Sequence, residues 1–252
     1  MFKVEPAKMK LVITPELEKL VYIFQKYNHE IRIAGGAVRD LISGEKIPDD
    51  VDLATTATPT EMKEMFTTEN IRMINELGEK HGTITARIDD KENFEVTTLR
   101  IDKVTDGRHA EVEFTRDWKI DAERRDLTIN SMFLDFDGTV IDFFSGRQDL
   151  QNKLVAFVGS PVKRMQEDYL RILRYFRFFG RICSEKDQHE EATLEAIKSN
   201  VHGLERISGM QSNSYNVIWS LSMILVVTCD VWKKQDLKDF KSYACAKKIL
   251  QK

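Results

Sequence analysis

Asp50 and Asp52 are separated by one residue, and the run Gly35-Gly36-Ala37-Val38-Arg39-Asp40 ends ten residues upstream of the first. Alternate side chains of an extended strand share a face. Read as a strand, Asp50-Val51-Asp52-Leu53-Ala54 therefore sets both carboxylates on one side, close enough to share divalent cations. Two such carboxylates beside a glycine turn suit two-metal phosphoryl transfer, in which Mg²⁺ activates an attacking hydroxyl and neutralises a leaving pyrophosphate. The glycines let backbone N–H groups approach a triphosphate at the start of the next helix, and Arg39 adds positive charge there. Alone, each part reads as a plain turn or a solvated strand end. Their order on strand, turn, helix and strand is the rarer feature.

Two further segments carry dense charge. Glu123-Arg124-Arg125-Asp126-Leu127-Thr128-Ile129-Asn130 reads either as surface ion pairs at a helix start or as a source of a phosphate or ribose contact through Arg125. In Glu167-Asp168-Tyr169-Leu170-Arg171, Asp168 and Arg171 are three apart and share a helix face, with Arg174 and Arg177 extending the row. Lys163 to Arg181 holds six basic and two acidic residues. That is a local basic patch, or the solvated stripe of an amphipathic helix.

The elements that would position these residues follow from local signals. Thr14-Pro15-Glu16 starts a helix carrying Leu17, Leu20, Val21 and Phe24 at helical spacing. Ile31 to Ala34 alternates as a strand, and Ala37 to Ile42 forms a short helix closed by Ser43-Gly44. Thr58-Pro59 opens another helix, running to about Phe66. Gly82 to Ile88 and Phe94 to Leu99 pair as a hairpin, and Asp117 to Arg125 and Leu127 to Met132 look helical. Asp137-Gly138 signals a second hairpin. From Pro161 the pattern becomes all-helical, with Met165 to Arg181 and Glu190 to Ser199. The expected architecture is α+β, with a boundary near Leu150 to Pro161.

The 252 residues are 42% hydrophobic and 31% charged, enough for a substantial core. Ser208 to Lys252 carries seven Lys against three Asp, while the rest carries 31 basic against 38 acidic residues. Any nucleic-acid site must therefore be a local patch. Cys183, Cys229 and Cys245 are too widely spaced for a zinc pattern or a disulfide framework, which points to a reducing compartment. Met1 to Ile13 has neither a secretory apolar core nor the arginines of a transit peptide. The apolar run Val217 to Val227 is short for a bilayer span, so no membrane partner is expected.

Gly35-Gly36-x-x-Arg39-Asp40, Asp50-x-Asp52, Arg124-Arg125-Asp126 and Glu167-Asp168-x-x-Arg171 occur in the order seen in the class II CCA-adding tRNA nucleotidyltransferases. The chain resembles a eukaryotic member over roughly residues 10 to 207, and Asp106-Gly107-Arg108-His109 resembles a loop of that family. The resemblance implies a polymerase-β-like nucleotidyltransferase head with a mixed sheet (1–150), an all-α neck that reads the base (151–207) and a divergent tail (208–252). By position it implies that Asp50 and Asp52 hold catalytic Mg²⁺ and that Gly36, Arg39 and Arg125 contact the incoming nucleotide. Asp168 and Arg171 would read its base, supported by Arg174 and Arg177. Glu95, on an expected edge strand, would be an additional carboxylate near the metals.

The activity so implied is addition of CCA to tRNA 3′ ends from CTP and ATP, in the cytoplasm, the mitochondrion or both. The sequence departs from the family pattern after about Gly209, so the expectation includes a C-terminal truncation that weakens activity. A poly(A) polymerase-like tailing enzyme shares nearly the same head motifs and is the alternative. A second alternative is a catalytically poor isoform that binds nucleotide and RNA.

Overall fold

The computed structural model describes residues 2–206 apart from 45, 46, 49, 75, 104–111 and 184–188. The chain divides into two compact units, one reaching Ser160 and the other starting at Pro161.

The first unit opens with α1 (Pro6–Met9) and α2 (Pro15–Lys26), followed by β1 (Ile31–Ala34), α3 (Gly36–Ser43), β2 (Leu53–Thr55) and α4 (Pro59–Thr68). Next come β3 (Arg72–Ile74), β4 (Thr83–Ile88), β5 (Glu92–Thr98), β6 (Arg100–Asp102) and β7 (Val112–Phe114). It closes with α5 (Trp118–Arg124), a 3₁₀ turn at Thr128–Asn130, β8 (Phe133–Leu134), β9 (Val140–Ile141) and α6 (Gly146–Gln151). The helix starts are chemically specified. Thr14 Oγ1 accepts from Leu17 N ahead of Pro15, and Thr58 and Glu61 form a reciprocal capping box ahead of Pro59. Gly44 ends α3 in the left-handed conformation.

Seven strands form one mixed sheet in the order β3-β4-β5-β2-β1-β8-β9, with β6 and β7 paired separately. The β2–β5 contact is parallel, Leu53 opposite Val96, and the other pairings in the sheet are antiparallel. One face packs Ile33, Leu53, Phe94 and Val96 against buried residues of α2, α3 and α4. The other carries Ala34, Ala54 and Phe133 beneath Trp118 and Ala122 of α5. Alternation along β2 therefore assigns Asp52, one residue before Leu53, to the α5 face.

In the second unit α7 (Pro161–Glu167), α8 (Leu170–Ile182) and α9 (Glu191–Asn200) precede a 3₁₀ turn at Val201–Arg206. Gln166 donates to Asn200 Oδ1 at 3.2 Å, and a Cβ at Gly203 would sit 2.1 Å from the Tyr169 ring. That close approach admits only glycine.

Four local expectations are corrected. The helix expected over Met165 to Arg181 is broken at Asp168-Tyr169, where Asp168 Oδ1 accepts from Leu170 N and Tyr169 packs against Gly203. Leu127 to Met132 is no helix beyond its 3₁₀ turn, because Leu127 bridges Phe157 and Thr128 N donates to Ala156 O, which hold that segment extended. Strand β2 starts at Leu53, so Asp50 and Asp52 lie at its threshold, although Asp52 O already accepts from Ala34 N at 2.9 Å. Strand β5, which carries Glu95, lies inside the sheet between β4 and β2, not at an edge.

No helix among the described residues is long and apolar enough to cross a membrane. Cys183 is a free thiol. Cys229, Cys245, the run Val217 to Val227, the whole 208–252 tail and Asp106-Gly107-Arg108-His109 lie outside the described residues.

Candidate active site

The chain leaves β1 through Gly35, whose φ of +65° is one that side chains rarely tolerate. A Cβ there would also approach Arg125 Nη1 to 3.2 Å. Gly36 begins α3, whose first turn has no side-chain cap, so its N–H groups are available to an anion. Arg39 lies under this turn, only 7% exposed. Its Nε and Nη2 meet Asp40 Oδ1 at 2.8 and 2.7 Å, and its Nη1 donates to Asn130 Oδ1 at 2.7 Å.

Arg125 comes from the end of α5, on the far side of the turn. Its Nε and Nη2 donate to Asp121 Oδ2, its Nη1 donates to Asn130 O at 3.2 Å, and its guanidinium lies 4.8 Å from the Phe133 ring centroid. Phe133 in turn meets Trp118 edge-on at 4.9 Å, and Arg32 stacks on Trp118 at 4.0 Å. This packing fixes the arginine from below.

Asp52 is where electrostatics and geometry meet. Desolvation pushes its carboxyl up from the ordinary value, the neighbouring charge of Asp50 pushes it further, and Arg125 pulls it back. The threshold of β2, the glycine turn and Arg125 thus share one field. A desolvated carboxylate beside a second negative charge is a hard-oxygen donor whose ionisation a divalent cation favours. Glu95 is on the strand parallel to β2, and the Leu53–Val96 register brings it level with Asp52. Among the described residues, however, no three His, Cys, Asp or Glu side chains gather as a metal-holding group.

The remaining candidate residues belong to the second unit. Asp168 is exposed in the break between α7 and α8, and its Oδ1 caps the start of α8. Arg171 donates to Glu167 Oε2 at 2.8 Å and to the Arg164 carbonyl. Arg174 and Arg177 are exposed on α8. No sequence pattern marks Asn130 and Asp121, which tie the arginines of the first unit in place. Their only signal was membership of, or closeness to, the charged run at Glu123 to Asn130.

Residues 31–156 match the Poly A polymerase head domain family. The chain belongs to this family. Over 207 residues it is 65% identical to the mouse protein described as CCA tRNA nucleotidyltransferase 1, mitochondrial, covering 82% of this chain and 47% of that relative. It is 35% identical over 246 residues to a Lactococcus lactis CCA-adding enzyme, covering 94% of this chain and 57% of the other. The crystal structure of the Bacillus stearothermophilus CCA-adding enzyme in complex with CTP superposes with a TM-score of 0.67 at 30% identity, over 84% of this chain and 49% of that one. The fold is thus the polymerase-β-like nucleotidyltransferase head that the motifs implied. As a Poly A polymerase head domain protein, the chain spans about half the length of the curated relatives it matches.

Proposed function

We propose that this chain carries the catalytic head and base-reading helices of an enzyme that adds C, C and A to tRNA 3′ ends from CTP and ATP. The observation that carries this reading is the placement of Asp52 beside Asp50 and within the field of Arg125, next to the uncapped start of α3. Relatives described as CCA tRNA nucleotidyltransferases and CCA-adding enzymes support it. The mouse, human and zebrafish relatives are described as mitochondrial, which favours that compartment here.

Asp50 and Asp52 would hold Mg²⁺. The bound metal supplies charge neutralisation at the triphosphate and acidifies the attacking 3′-hydroxyl. Gly36 offers backbone N–H groups to the phosphates, Arg125 faces them from the α5 side, and Arg39 supports the turn from beneath. Asp168 and Arg171 match the amino donor and ring-nitrogen acceptor that cytosine and adenine both present, while Arg174 and Arg177 add positive charge around the base and triphosphate. The head is assigned to 1–150 and the base-reading neck to 151–207.

The full chain, Mg²⁺ and a tRNA ending before CCA form the decisive assay. CTP alone should be incorporated, and ATP should follow only on the CC-ended product. Because the matching family takes its description from poly(A) polymerase, ATP tailing without use of CTP is the second reading, and that outcome would replace the first. No transfer, despite nucleotide binding, would leave the chain a nucleotide- and RNA-binding protein.

A further inference from the structure

Asn130 joins the two arginines of the first unit. Its Oδ1 accepts from Arg39 Nη1 at 2.7 Å and its backbone oxygen from Arg125 Nη1 at 3.2 Å. The other edges of both guanidiniums are held by carboxylates, Arg39 by Asp40 and Arg125 by Asp121. Two arginines, each also held by an aspartate, therefore meet at one neutral residue. Asn130 is itself fixed and only 7% exposed. Its N–H donates to Leu127 O at 3.0 Å, Thr128 Oγ1 donates to Asp149 Oδ2 at 2.6 Å, and a Cβ at Gly146 would lie 2.1 Å from Thr128 O. The turn that carries Asn130 is thus wedged against α6, and its carbonyl lies 3.9 Å from a Cβ built on Gly35.

We propose that Asn130 is a positioning residue that locks Arg39 and Arg125 into one rigid unit beside the Gly35-Gly36 turn while adding no negative charge where a nucleotide triphosphate arrives. The inference rests on the nucleotide-binding reading above. If the side chain at position 130 served only to hold Arg39, a carboxylate would do so more strongly, because charge-assisted hydrogen bonds are about twice as strong as neutral ones, while the tie to Arg125 runs through the backbone oxygen of any residue there. An amide of the same shape keeps the acceptor and omits the charge. Aspartate there would add one negative charge beside the turn and would oppose the approach of the phosphates. The residue acts on nucleotide binding through the two arginines.

The test compares the full wild-type chain with Asn130→Asp and Asn130→Ser, measuring CTP and CMP binding with Mg²⁺ by calorimetry at low and high salt, alongside thermal melting. Asn130→Asp should melt near the wild-type temperature yet bind CTP about tenfold or more weakly. The loss should be smaller for CMP and should shrink as salt rises. Asn130→Ser, shorter but neutral, should bind CTP more tightly than Asn130→Asp. A purely structural residue predicts the reverse order, with the aspartate the better tie. If the wild type binds CTP and Asn130→Asp binds it equally well, or more tightly than Asn130→Ser, the role of Asn130 is overturned alone. If the wild type binds no CTP, the nucleotide-binding reading falls and the inference with it.

Discussion

Asp121 Oδ2 receives both Nε and Nη2 of Arg125, at 3.2 and 3.1 Å, while its Oδ1 receives Arg124 Nε at 3.0 Å and Arg100 N at 3.1 Å. One carboxylate, 1% exposed, therefore orients two consecutive arginines and anchors the start of β6. Asp121→Ala would leave half-buried guanidiniums without their counter-charge and should cost about 3–5 kcal/mol in urea unfolding. Burial opposes ionisation of Asp121, but Arg125 and Arg124 outweigh it and hold the carboxyl below 3.8. Its stabilisation is thus present above pH 3.8 and lost as the pH falls through the lowered value. In Asp121→Asn that acid-limb loss should disappear from the stability–pH curve.

Asp52 has the opposite sign. Its carboxyl is raised by desolvation and by Asp50, so the stability it contributes without metal is fully present below pH 3.8 and declines as the pH rises through the raised value. Asp52→Asn should therefore melt higher than the metal-free wild type at neutral pH. Adding Mg²⁺ should raise the wild-type melting temperature and leave that of the variant unchanged. Transfer by Asp52→Asn or Asp50→Asn should fall at least about a hundredfold. Near-native incorporation by either variant would remove the pair from the metal site.

Base choice tests the second unit. Uracil and guanine present the reverse donor and acceptor order from cytosine and adenine, leaving a mismatched buried group at a cost of about 1–3 kcal/mol. Asp168→Ala and Arg171→Ala should slow the reaction and narrow the preference for CTP and ATP over UTP and GTP. Competition assays with mixed nucleotides read the ratio directly, and an unchanged preference in both variants would exclude this pair as the reader.

Gly35→Ala should cost about 1–3 kcal/mol from the backbone conformation alone, φ +65° with ψ −123° being sparsely populated by residues with a side chain. Because the added methyl would lie 3.2 Å from Arg125 Nη1, it should also displace that guanidinium. CTP affinity should drop while the far-UV spectrum stays native. A loss of stability with unchanged CTP affinity would separate the turn from the nucleotide site.

Elements with a signal inside one short window were legible in the sequence. Thr14-Pro15 marks α2, Gly44 ends α3, and period-two alternation across Asp89-Asp90-Lys91 gives the β4–β5 hairpin. Strands β3, β6 and β7 were not legible, since their three residues are not part of a longer alternating run such as the one that marks β2. Nor was the break at Asp168-Tyr169 visible, because no proline or glycine stands there. At the break Asp168 accepts from Leu170 N and Tyr169 packs on Gly203, thirty-odd positions away. At the site, the carboxylates and arginines stood out as types at fixed spacing. The hydrogen bond from Arg39 to Asn130 spans 91 positions, and no spacing rule relates residues brought together by a sheet crossover.

Strand β1 pairs with β2 on one side and with β8 on the other, and β8 in turn with β9, which ends at Ile141. The glycine turn after β1 consequently has its β8 side, with Asn130, delivered by chain that emerges from the ribosome about a hundred residues later. Until that segment arrives, Arg39 has no asparagine to meet and the edge of β1 lies open to other strands. Such long-range closure carries a large loop entropy and slows folding. The completed glycine turn is then among the last parts of this head to form.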